Sequence, residues 1–134
     1  MIMKYYFTNT TKGDFDAIET KVIMLLKDEG FGVLTQIDIK NILKNKLNVD
    51  FKKYKILGAC NPSFAHKALL IEDKIGTMLP CNIIVQEVSP NVIEVSAINP
   101  IKSMESVNNE ELNVVAKAVS KKLEKVIESI NDEG

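Results

Sequence analysis

Tryptophan is absent from the 134 residues of the chain, histidine occurs once and cysteine twice. Without tryptophan, and with no basic stripe interleaved with aromatics, the chain lacks the footprint of a nucleic-acid-binding surface. The net charge of −1 adds no global pull toward nucleic acid or an anionic membrane. No stretch approaches the roughly 18 apolar residues that a membrane span requires; the longest apolar run in an expected helix is Val22 to Leu26. Neither nucleic acid nor a membrane is therefore expected as a partner. Met1 to Phe7 is too short and too tyrosine-rich for a signal-peptide core. Two cysteines with no export signal suit a reducing compartment, so a cytoplasmic location with free thiols is expected. Internal repeats and low-complexity segments are also missing.

What remains is ordinary globular composition, 46% hydrophobic and 26% charged. A chain of this length fits one domain, expected over residues 1–130, with a flexible tail over residues 131–134. Residues Ile2 to Thr8 read as a strand and Thr10 to Asp14 as a turn ending in a helix cap. Phe15, Ile18, Val22, Leu25 and Leu26 recur at helical spacing, and Gly30 stops that helix. Phe31 to Ile37 reads as a second strand. Asp38 can cap a short helix carrying Ile39, Ile42, Leu43 and Leu47. A third strand spans Tyr54 to Cys60, and Asn61-Pro62 opens a helix, with Asn as N-cap and Pro at the first helical position. Cys81 to Val88 and Val92 to Ile98 form a hairpin around Ser89-Pro90-Asn91. From about Asn109 a long helix places Leu112, Val115, Ala116, Val119, Leu123, Val126, Ile127 and Ile130 on one stripe; packing on a sheet explains it more simply than a coiled coil. The order points to an α+β fold, an antiparallel sheet packed on one face by two long helices, with short inserted helices. Phe31 to Ile37 is a candidate edge strand, through which a homodimer is expected to form.

The chemistry-bearing residues gather between Gly58 and Asn82. Cys60 ends the third strand and Cys81 begins the fourth, so antiparallel pairing would make them neighbours at one end of the sheet. His66 lies on the intervening helix, just over one turn from its start. Cys60 also precedes a helix N-terminus, whose unpaired amides would lower a thiol pKa or hold an anion. Four readings follow. Both cysteines can be buried small hydrophobes, with Asn61 a cap and His66 a satisfied histidine. Cys60, His66 and Cys81 can form a site for a transition metal, zinc or copper with one position open, or for a sulfur-reactive ligand, Asn61 and Asn82 supporting it, and a binding module with this site is the function expected of the chain. Cys60 can act in thiol redox chemistry with Cys81 as resolving partner, although no Cys-x-x-Cys motif exists. Lastly, Cys60 and His66 can form a nucleophile–base pair. A small apolar ligand held between sheet and helix is a further class of function.

The run Gly58-Ala59-Cys60-Asn61-Pro62, then Ala65-His66 and Ala68-Leu69, followed by Ile75-Gly76 and Leu79-Pro80-Cys81-Asn82, resembles the domain of unknown function 302 family. Tyr54 to Leu57 and Asn99-Pro100 fit as well, Asn99 standing where the family more commonly has aspartate. The resemblance implies a β-α-β(4)-α domain of the TATA-binding-protein-like class, an antiparallel sheet gripping a long C-terminal helix, and a tendency to self-associate. It implies no DNA binding, because function lives in sites rather than folds.

Overall fold

The computed structural model of the chain describes residues 3–131. Five strands pair antiparallel throughout, in the order β1-β5-β4-β3-β2. They are β1 (Tyr6–Lys12), β2 (Gly32–Asp38), β3 (Tyr54–Cys60), β4 (Cys81–Ser89) and β5 (Val92–Ile98). Five helices join them: α1 (Phe15–Asp28), α2 (Ile39–Leu47), α3 (Pro62–Ile71), the single turn α4 (Pro100–Ser103) and α5 (Glu110–Glu128). This is the expected β-α-β(4)-α order, with α2, α3 and α4 inserted.

Local sequence sets most boundaries. Asp14 accepts the Ala17 N–H at 3.1 Å, Asp38 that of Asn41 at 3.0 Å and Asn109 that of Leu112 at 3.0 Å, capping α1, α2 and α5. The α1 C-terminus closes in a Schellman motif: Phe31 N–H reaches Leu26 O at 2.9 Å and Gly30 N–H reaches Lys27 O at 3.0 Å. Gly30 takes the left-handed φ of +89° that this motif demands. One expectation needs correction. The first strand runs later than Ile2–Thr8, because Thr10, Thr11 and Lys12 pair with Glu94, Ile93 and Val92 of β5 instead of turning; Ile2 itself lies outside the described residues. Of the expected tail, residues 132–134 lie outside the described residues, whereas Asn131 ends a 3-10 turn and donates to Asn9 Oδ1 at 3.1 Å.

Alternation along the strands gives the sheet one apolar face. Leu57, Ala59, Cys81, Ile83, Val85, Ile93, Val95 and Ala97 are buried there against Phe15, Ile18, Val22 and Leu26 of α1 and Val119, Leu123, Val126 and Ile127 of α5. Each large side chain so buried contributes roughly 2 kcal/mol. The α5 stripe from Val119 to Ile130 is thus consumed by the core on the sheet, as expected. A second, smaller cluster joins Ala68, Ile75, Met104, Leu112 and Ala116 beyond the end of the sheet. β1 and β2 are the two edges; in its pairing with β3, β2 carries a register shift between Val33 and Thr35, a bulge that leaves Leu34 without a partner in the register.

Candidate functional site

β3 delivers the chain to Cys60, Asn61-Pro62 turns it into α3, and it returns through a 3-10 turn and the cis Leu79–Pro80 bond into β4 at Cys81. The return is tight. A methyl on Gly58 would overlap Thr35 Oγ1 and lie 2.8 Å from Pro80 Cγ, so glycine is needed here for space. Between this end of the sheet, α3 and the middle of α5 lies a cavity of about 120 Å³. Ala59, Cys60 and Asn61 line it from β3 and the turn, Phe64, Ala65 and Ala68 from α3, and Leu79, Pro80 and Cys81 from the return. Phe31 and Leu34, then Pro100 and Met104, and finally Val115, Ala116 and Val119 of α5 complete the wall. Alanine stands at four of these positions, where larger side chains would fill the space.

The cysteines meet the expectation in part. Both are free thiols and both line the cavity. Yet Cys81 faces Ala59 across the β3–β4 ladder, while Cys60 pairs with Gly32 of β2, so the two stand one residue out of step. Cys81 is exposed to only 8%. Burial first, and then the neighbouring Cys60, push its thiol up to about 11, so it stays protonated at neutral pH. Cys60 is half-buried.

His66 does not join them. The inward side of α3 carries Asn61, Phe64, Ala65, Ala68 and Ile71, at the i, i+3, i+4, i+7 spacing of one helical face. His66 stands two residues past Phe64, about 200° around the helix, and is exposed. Among the described residues, no three His, Cys, Asp or Glu side chains are grouped to hold a metal ion. The expected zinc or copper triad of Cys60, His66 and Cys81 is therefore not assembled. The Cys60–His66 nucleophile–base pair is not supported either, since the imidazole is turned away from the cavity. Asn82 alternates to the other side of the sheet from Cys81, opposite Gly58, and is exposed. Asn61 occupies the N-cap position of α3 but makes no side-chain cap; its Nδ2 donates to Glu29 O at 3.3 Å and ties α3 to the end of α1.

One structural residue of the site carried more weight than the sequence suggested. Asn99 is 2% exposed. Its Oδ1 accepts from Ile101 N–H at 3.2 Å, capping α4, and from Ser120 Oγ of α5 at 2.9 Å. Its Nδ2 donates to Lys4 O at 3.2 Å. These bonds fix the Pro100–Met104 wall of the cavity against α5. The Asn-Pro dipeptide, repeated at Asn61-Pro62 and Asn99-Pro100, was the available signal: in both, Pro opens a helix. An ionised aspartate at position 99 would accept both bonds but offer Lys4 O no donor. Glu19 and Lys55, unmarked in the sequence, form a partly buried ion pair at 3.1 Å, with Glu19 Oε2 lacking a partner.

Comparisons with known proteins extend this description. No curated protein matches the chain. Among solved structures, an uncharacterized conserved DUF302 protein from Bacillus stearothermophilus is similar, with a TM-score of 0.89 and 25% identity over 96% of this chain and 100% of that one. The family model described as "Domain of unknown function DUF302" matches residues 7–130, which include every strand but the first residue of β1 and the whole cavity wall, and the chain belongs to that family.

Proposed function

We propose that the domain is a binding module for a small, largely apolar molecule seated in the cavity between the end of the sheet, α3 and α5. The observation that carries this reading is the convergence of the family-like motif on one space: Ala59, Cys60, Asn61, Ala65, Ala68, Leu79, Pro80 and Cys81 all line it. Apolar cavities with few polar groups are normal ligand sites. A volume of about 120 Å³ is comparable with an engineered apolar cavity of roughly 150 Å³ that takes up benzene. The ligand is thus of the size of one aromatic ring or a short branched chain. Cys60 and Asn61 supply the polar contacts, and Cys60, the more accessible thiol, gives the site its affinity for a sulfur-reactive group. Redox pairing with Cys81 is the weaker reading, because a thiol held near 11 offers little thiolate at neutral pH.

Titration with toluene, followed by methyl resonances in NMR, tests the proposal. Shifts are expected at Ala59, Ala68, Ala116 and Val119, saturating with dose, and abolished in Ala116→Leu or, as a second filling variant, Ala65→Leu. Unshifted methyls in the folded protein at the solubility limit of toluene refute it.

A further inference from the structure

Helix α2 has an apolar stripe of Ile39, Ile42, Leu43 and Leu47, yet the fold buries none of its residues. A surface helix normally commits such a stripe to the core. Here Leu47 is 65% exposed, and Ile37, Ile42, Val49 and Phe51 around it are also exposed. The following segment is held against α2: Lys40 Nζ donates to Phe51 O at 2.7 Å, and Lys44 pairs with Asp50 at 3.0 Å. Ile39 and Leu43 are half-buried, so the helix and its return leave Ile42, Leu47, Val49 and Phe51 exposed within one short stretch of chain.

Charge is segregated to the same place. Lys40, Lys44, Lys46, Lys52 and Lys53 against Asp38 and Asp50 give residues 37–53 a net charge of +3 in a chain whose total is −1, leaving −4 elsewhere. All five lysines are exposed. Asp38 is occupied as the α2 cap and Asp50 by Lys44, so neither leaves a free acidic group on this face. The expectation that no anionic surface is attracted rested on the whole-chain charge, which averages this asymmetry away.

We infer that α2 and residues 48–53 dock on an anionic lipid bilayer, with Leu47, Val49 and Phe51 entering the headgroup boundary and the lysines meeting lipid phosphates. A basic face flanking exposed large apolar side chains is the pattern of interfacial helices. Every basic residue of the chain is lysine, with no arginine. Nucleic-acid readout favours the bidentate guanidinium and needs no exposed leucine or valine, whereas a bilayer interface uses both features present. This face is separate from the cavity, so the two proposals stand or fall independently.

The test is co-sedimentation of the whole chain with phosphatidylcholine vesicles, with and without phosphatidylglycerol, at low and high salt. Binding is expected only to the anionic vesicles and is lost at high salt. Lys46→Gln and Lys52→Gln should each weaken it about fivefold, from about 1 kcal/mol per lysine at such a surface. Leu47→Ser should weaken it at least as much, and Lys117→Gln on the exposed side of α5 should leave it unchanged. Circular dichroism confirms that the variants, all at exposed positions, are folded. Absence of binding at low salt overturns the inference, as does equal binding to neutral vesicles. Equal weakening by Lys117→Gln would show diffuse charge attraction and overturn it. Tighter binding of single-stranded RNA that ignores Leu47→Ser would assign the face to nucleic acid, and a dimer abolished by Leu47→Ser would assign it to a second copy.

Discussion

Replacing Asn99 by alanine isolates the joint that holds the cavity wall. The substitution removes three side-chain hydrogen bonds, to Ile101 N–H, Ser120 Oγ and Lys4 O. At about 1 kcal/mol each their loss costs roughly 3 kcal/mol. Ser120, itself 4% exposed, loses its acceptor in a place that water does not reach freely, which adds about 1–2 kcal/mol. The total of about 4–5 kcal/mol corresponds to a fall in Tm of roughly 14–18 °C for a domain of this size, from an unfolding entropy of about 2.1 cal/mol/K per residue. Urea denaturation with a fixed m-value measures it directly. Asn99→Asp sharpens the test. The new carboxylate keeps both acceptor roles but faces Lys4 O, an acceptor, so the fold raises its pKa. A raised folded-state pKa stabilises below the unfolded value, near 4, and that stabilisation is lost as pH rises. The stability gap to wild type should therefore be wide at pH 7 and narrow below about pH 4. A loss under about 1 kcal/mol for Asn99→Ala, or a gap for Asn99→Asp independent of pH, would refute the role assigned to this residue.

Two further outcomes follow from the same wall. Cys81 keeps its proton to about 11 in the fold against 9.0 in the open chain, so stability contributed by the buried thiol is complete below pH 9.0 and drains away between these two values. The loss should amount to about 2–3 kcal/mol, seen as a decline in urea midpoint with rising pH that Cys81→Ala flattens; an equal decline in both proteins would show other groups responsible. Gly58→Ala should cost about 2–3 kcal/mol by overpacking against Thr35 Oγ1 and Pro80 Cγ, and adding Thr35→Ala should recover part of it, a non-additivity that a double-mutant cycle detects.

Much of the framework could be read from local signals. The bounds of β3 and β5 match the sequence reading because each is a β-rich run closed by a strong breaker: Asn61-Pro62 after one, Asn99-Pro100 after the other. α1, α2 and α5 carry their caps and stops in the sequence. β1 was misplaced because its bounds come from a partner far along the chain. Tyr6 to Lys12 are strand only because Ile98 to Val92 lie beside them, and a Thr-rich run read alone looks equally like a turn.

The site was harder to read for a different reason. That Cys60 and Cys81 share one end of the sheet follows from antiparallel pairing, and the structure agrees. Which way His66 points depends on the rotational phase of α3, and the sequence there leaves that phase undetermined. Phe64, Ala65, Ala68, Leu69, Leu70 and Ile71 surround nearly the whole helix, so no single apolar stripe stands out. The fold selects the side with the small residues, because only Ala65 and Ala68 allow α3 to approach α5 and the sheet end. It leaves Leu70 outside at 75% exposure. An apolar residue on the solvent side and a histidine beside it are thus one consequence of the same choice: packing took the alanines inward, and the space they leave unfilled is the cavity.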